Sequence, residues 1–508
     1  MLTESVMPAQ MPGSDRGGET SRGTEHVVVA RDGEPDADGK GFGVRLGVLT
    51  CEIGPELVDE VLAETGRRER RRRLLPAQSV VYFVLGLCLF SGADSMVPPG
   101  YRSVMRWLSN GLRHLHGELL ASSSALTKAR QRLGAEPLQL LFTRKRGPLG
   151  TPDTPGVFAF GLRLVAWDGT GLDVADTAEN ATAFGRLQGG SPQLRLVALI
   201  ECGTHAVIDA AFDGITAASE HKLARRVLGG LKAGMLLLAD RNFPGHDLWG
   251  LAAGTGADLL WRIKHKQVFV TVKVLPDGSF ISIMPTPAET VRHGQARARG
   301  RVLPEPPQGH TVRIIEYTVT VRAADGSSRT EPFRLVTTIV DHERAPAAQL
   351  AAVYQQRWEN ESSYQELKTR LRGAEFILRS KSPDLVRQEL FAFLTVYQAL
   401  CSLKADAARD AGIDPDRISF TGTVRVARTE VINQAATTPD TLQHARVRAI
   451  RDLLADRLPA RRNRQYERIK RAPKNKAAIK KHDHIRVASH VTYKIKVSRN
   501  HDLPAQTP

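Results

Sequence analysis

The sequence predicts an α/β fold: a helical N-terminal domain, then a core of alternating strands and helices that is interrupted by an inserted antiparallel β subdomain. Three observations carry this. Apolar residues recur at helical spacing from Leu49 to about Phe142; from Gly161 the period becomes that of strands; and residues 264–340 are β-rich around two turn sequences. The chain's 508 residues leave room for two to four domains of roughly 100 to 200 residues each. With 42% hydrophobic, 25% charged and 6% aromatic residues, a collagen-like repeat, a disulfide scaffold and a wholly disordered chain are excluded.

Residues 1–40 hold eight acids and four bases without a periodic apolar face, so 1–48 reads as a disordered acidic stretch. Leu57, Val58, Val61 and Leu62 then open a helical domain over 49–145. Gly66 and the basic run Arg67 to Arg73 separate the first helix from the next, which starts at Pro76. Val80 to Phe90 is apolar over eleven residues, where a membrane span needs about twenty, and reads as one buried helix. The last helix, Ser122 to Leu133, begins with N-cap residues and carries Lys128, Arg130 and Arg132. It suits a helix laid against phosphates, or an ordinary amphipathic helix with a charged solvent face.

Over 155–263 the order is three strands (Leu162 to Trp167, Leu194 to Glu201, Ala206 to Phe212), a helix from Ser219 to Leu231, the strand Met235 to Ala239, a helix from His246 to Ala253, and a strand near Asp258 to Ile263. The insertion over 264–340 offers Val268 to Val274 and Phe280 to Met284 around Leu-Pro-Asp-Gly-Ser, and Thr311 to Val321 with Phe333 to Val340 around Ala-Asp-Gly-Ser-Ser. Between these pairs lie a basic segment, His293 to Arg301, and a loop. Helix resumes at Ala345 and continues in segments through 341–411, and 412–508 holds a last helix, Thr441 to Arg457, and a basic tail.

Lys and Arg number 71 against 54 Asp and Glu, a net charge of +17. Residues 460–500 contribute fourteen Lys or Arg and two acids, so most of the excess lies in the tail, as in a chain whose partner is a polyanion. Cys51, Cys88, Cys202 and Cys401 are scattered without a CxxC pair, which disfavours a disulfide framework or a zinc knuckle. No N-terminal basic-then-apolar segment resembles a secretory signal, so the cytoplasm is the expected compartment, with no membrane partner.

Two predicted strands end in a carboxylate, at Asp168-Gly169-Thr170 and Asp240-Arg241-Asn242, where open α/β sheets keep their ligands. A helix predicted over 345–372 places Tyr354, Arg357, Glu361 and Lys368 at offsets 0, 3, 7 and 14, hence on one face at about 100° per residue. An Arg357 to Glu361 ion pair is the plain alternative, in the less favourable orientation for a helix. Three carboxylates without Cys or His suit hard divalent ions. Two Mg²⁺ or Mn²⁺ about 3.5 to 4 Å apart activate an attacking oxygen and stabilise a leaving one in phosphodiester chemistry.

These motifs resemble the DDE transposases of bacterial insertion sequences, in the family-four branch. The family's Tyr-x2-Arg-x3-Glu-x6-Lys signature is matched by Tyr354, Arg357, Glu361 and Lys368, its second-acid motif by Asp240-Arg241-Asn242-Phe243, and its first by Asp168-Gly169-Thr170. The resemblance covers about 50–480. It implies an RNase H-like core with a β insertion before the last acid, catalysis and metal binding by Asp168, Asp240 and Glu361, and DNA contacts by Tyr354, Arg357, Lys368, Arg241, Lys128, Arg130 and Arg132. It further implies Mg²⁺-dependent cleavage of double-stranded DNA at terminal inverted repeats, 3′-OH attack on target DNA, and dimers assembled on DNA. Some relatives hold a flipped base against a tryptophan; Trp261 and Trp358 are candidates by position, or core residues. A transposase-derived DNA-binding regulator and a standalone nuclease are the alternatives, and the presence of all three acids disfavours the regulator.

Overall fold

The computed structural model describes residues 44–69, 75–92, 99–109, 121–264, 267–301, 303, 305–322, 328–357, 363–371, 377–433, 439–460 and 494–497. The expected disordered stretch lies outside them up to residue 43. Its end does not: Val44, Leu46 and Val48 are buried in the helical core, so that domain begins before residue 49.

The helical region comprises α1 (Pro55–Glu64), α2 (Ala77–Leu89), α3 (Tyr101–Ser109), α4 (Ser123–Leu133) and α5 (Glu136–Lys145). In α2, every residue from Ser79 onward is buried, which explains its unbroken apolar run. On α4, Ser122 caps the helix by accepting from the Ala125 amide at 3.2 Å.

The central sheet is continuous, its strands lying side by side in the order 207–214, 193–201, 162–173, 235–239, 258–262, 328–337, 309–322, 280–285 and 273–274. β1 (Phe158–Ala159) and β2 (Leu162–Asp173) precede α6 (Ala178–Phe184); β3 (Gln193–Glu201) and β4 (Val207–Gly214) extend an antiparallel meander from β2. Then α7 (Glu220–Arg226), β5 (Met235–Ala239), α8 (His246–Ala253) and β6 (Asp258–Arg262) add strands parallel to β2. This follows the predicted order from the second strand onward, but β1 and α6, which precede β3, were not predicted.

The insertion contains β7 (Lys273–Val274), β8 (Phe280–Pro285), α9 (Pro287–Ala298), β9 (Gly309–Arg322) and β10 (Ser328–Thr337). Its strands are antiparallel, as expected, but it does not stand apart as a subdomain. β10 pairs with β6, Val336 opposite Trp261, and carries the core sheet onward. β11 (Lys494–Val497), from the basic tail, pairs with Tyr317–Thr320 of β9 beyond the point where β8 stops at Ile314.

After the sheet come α10 (Ala347–Tyr354), a 3₁₀ turn (Gln355–Arg357), a π-helical turn (Glu366–Leu371), the 28-residue α11 (Pro383–Asp410), α12 (Phe420–Asn433) and α13 (Pro439–Ala455). α11 packs against α2, α5, α12 and α13, so the N-terminal and C-terminal helices share one apolar core and are not separate domains. Residues alternate across the sheet as strand geometry requires. Val165, Trp167, Leu237 and Ala239 face α7 and α8, while Leu164, Ala166, Leu236 and Leu238 face α10.

Candidate active site

β2 and β5 run parallel in the middle of the sheet, with Ala166 opposite Leu238. Two residues further along each chain stand Asp168 and Asp240, which continue the alternation toward the α10 face. Asp240 follows the last residue of β5, as predicted. Asp168 does not end its strand, because β2 runs on to Asp173 paired with β3. What ends there is the parallel pairing of β2 with β5, and this opens the edge on which both acids sit.

Backbone groups hold both carboxylates. The Gly169 amide donates to Asp168 Oδ1 at 2.8 Å, and the Asn242 amide and side chain donate to Asp240 at 2.8 and 3.1 Å. Burial, together with the charges of Asp240 and Glu220, pushes the Asp168 acid up to about 6, against the opposing pull of the Gly169 amide and Arg357. Arg357 Nη1 lies 3.9 Å from Asp168 Oδ2. Two neighbouring acids that offer only oxygen donors, the charge of one adding to the rise at Asp168, fit a divalent cation, whose charge relieves their repulsion. Among the described residues no three His, Cys, Asp or Glu side chains form a metal cluster. Glu361 and Trp358 lie outside the described residues.

The single helix predicted over 345–372 is corrected. α10 ends at Tyr354, a 3₁₀ turn carries Arg357, and Lys368 sits in the π-helical turn, so one 100° stripe does not describe these residues. Their side chains nonetheless reach neighbouring points. Lys368 Nζ donates to Thr170 Oγ1 at 2.9 Å, two residues beyond Asp168, while Arg357 approaches Asp168 itself.

Tyr354 is not an exposed DNA contact. It is 4% exposed, and its hydroxyl donates to the Ala239 carbonyl at 3.1 Å, one residue before Asp240. Arg130 is likewise corrected: it is fully buried, donating to Gln388 at 2.9 Å, to Ser380 at 3.0 Å and to Tyr101. Arg132 donates to the Leu75 carbonyl at 3.3 Å and pairs with Glu69 at 3.8 Å, whereas Lys128 and Arg241 are exposed. Trp261 is fully buried between Trp167 and Trp249, with ring centroids 5.6 and 5.0 Å away, and is a core residue.

Three contributors escaped the sequence reading. Glu220, at the start of α7, reaches Gly169 from the opposite face of the sheet, so close that a Cβ there would lie 2.4 Å from its carboxylate. The glycine of Asp-Gly-Thr is the signal that could have indicated this approach. His221 Nε2 lies 2.7 Å from the Asn242 carbonyl and its ring stacks on Phe243, which braces the loop after Asp240. Tyr364 contacts the backbone of Asp168 itself.

Residues 43–143 match the family described as insertion element 4 transposase N-terminal, and residues 159–398 match the transposase DDE domain. Transposase InsG for insertion sequence element IS4 of Escherichia coli (strain K12) is 29% identical over 445 residues, 82% of this chain and 90% of that protein. A solved piggyBac transposase synaptic complex with hairpin DNA covers 79% of this chain and 84% of that chain, with 9% identity and a TM-score of 0.39. Two transposase domains in sequence, and a relationship to an insertion-element transposase along most of the chain, establish that this protein belongs to the DDE transposases of insertion sequences.

Proposed function

We propose that this transposase cleaves DNA strands at the ends of its insertion element and transfers the freed 3′-OH into target DNA, with Asp168, Asp240 and Glu361 as the catalytic acids of an RNase H-like core. The observation that carries the reading is the pairing of β2 with β5, which brings Asp168 and Asp240 to one sheet edge on one face. The same three acids would hold two Mg²⁺ or Mn²⁺ ions, which supply charge stabilisation for the attacking and leaving oxygens. Arg357, next to Asp168, and Lys368, on Thr170, would orient the phosphate beside the acids, the part these residues would play in the Tyr-Arg-Glu-Lys branch. Exposed Lys128 and Arg241 would contact the phosphate backbone of the double-stranded end, and two copies would pair on DNA in the bacterial cytoplasm.

The test is incubation with DNA carrying the element's own flanks, with Mg²⁺ or with EDTA, read at base resolution. Asp168→Ala, Asp240→Ala and Glu361→Ala should each abolish cleavage while end binding survives, because acids repel phosphate. Cleavage at the wild-type rate in any of the three removes that residue from the site.

A further inference from the structure

We propose that Tyr364 is a positioning residue that fixes the backbone of Asp168 by bonding its hydroxyl to both β2 and β3 where they face each other; the inference rests on the catalytic reading of Asp168. In the antiparallel pair of these strands Asp168 stands opposite Ala198. The register is unbroken from Val165 to Asp173, so an amide and a carbonyl of the two strands face each other here. Here the Ala198 amide donates to the Tyr364 hydroxyl at 3.0 Å, and that hydroxyl donates to the Asp168 carbonyl. A phenol both accepts and donates, so one hydroxyl engages both strands at the rung that holds the acid.

The side chain comes from the segment that follows Glu361 by three residues. That segment is anchored twice more: Lys368 on Thr170 Oγ1 at 2.9 Å, and Glu366 on the buried His205 at 2.8 Å and Lys404 at 3.8 Å. With its carboxylate on the Gly169 amide and its carbonyl on Tyr364, Asp168 is restrained at both ends. Tyr364 is 8% exposed and packs in the main core, so its ring is seated independently of the hydroxyl. The hydroxyl therefore ties the first acid to the stretch of chain that carries the third.

Tyr364→Phe keeps the ring and deletes both of these bonds. Cleavage at saturating end DNA should fall about ten- to a hundredfold, as when reacting groups are displaced without being removed. The DNA concentration for half-maximal rate should stay at the wild-type value, and the melting temperature should fall by only a few degrees, leaving the protein folded under assay conditions. Amide hydrogen exchange should change in peptides covering β2 and β3 and nowhere else. Asp168→Ala is run beside it. If Asp168→Ala is inactive while Tyr364→Phe cleaves at the wild-type rate, this inference alone is overturned; if Asp168→Ala still cleaves, the catalytic reading itself is wrong. Loss of cleavage that tracks loss of folded protein would make Tyr364 a packing residue and overturn the proposal as well.

Discussion

Lys128 and Arg130 lie two positions apart on one helix and meet opposite surroundings. Lys128 is exposed, whereas Arg130 is sealed beneath α11 by Gln388, Ser380 and Tyr101. Removing Arg130 leaves several buried partners without their donor, so Arg130→Ala should lower stability by about 3 kcal/mol or more in urea unfolding. Lys128→Ala should leave stability within about 0.5 kcal/mol. It should instead weaken DNA binding and reduce the slope of log K against log salt by about 1. A stable Arg130→Ala protein with selectively lost DNA affinity would restore the DNA-facing reading of that arginine. The helix's periodicity could not separate the two residues, because Ser380 and Gln388, which help bury Arg130, lie 250 and 258 positions away in the chain.

At the scale of elements, legibility follows burial. β5 reads as a strand because all five of its residues are buried, and α2 as a helix from the length of its apolar run after Pro76. α9 has no buried residue and so no apolar face to find, yet Thr286-Pro287-Ala288-Glu289 spelled out its start. Thr286 accepts from the Glu289 amide at 3.2 Å, with proline at the first helical position. The link from the insertion to α10 was hidden. Asp277, in the turn before β8, pairs with the fully buried Arg313 and accepts from the Ala347 amide at 2.9 Å, at the first residue of α10. Arg313 also donates to the Ala345 carbonyl at 2.8 Å. Asp277→Ala should cost about 3 to 5 kcal/mol, since it leaves a buried guanidinium without its carboxylate. Urea unfolding measures this, and Arg313→Lys should not substitute for the lost fork of donors.

Across the whole molecule, one buried ion cluster joins the β3–β4 turn, the π-helical turn and α11. Burial alone would raise the Glu366 acid, but Lys404 and His205 more than offset it and hold it at about 2. A depressed carboxyl contributes stability above its unfolded value, near 4.5, and loses it as pH falls toward 2. The stability gap between wild type and Glu366→Gln should therefore be widest at neutral pH and close over that interval; a gap independent of pH would contradict the assignment. The tail spreads a net +12 over 460–500, so truncation after residue 460 should lower affinity for element ends and random DNA by similar factors and flatten the salt dependence in titrations. Selective loss of end binding would show that the tail reads sequence. The continuous sheet also bears on how such a protein is assembled in evolution. The chain leaves the core after β6 and returns through β10, and β6 lies inside the sheet only because β10 covers it. Any replacement grafted there must deliver an antiparallel strand to that edge or leave Leu259, Leu260 and Trp261 on an open, adhesive border. The insertion is thus exchangeable in content but not in its first duty, and its lineage should vary in the hairpin's far end while keeping the strand that closes the core.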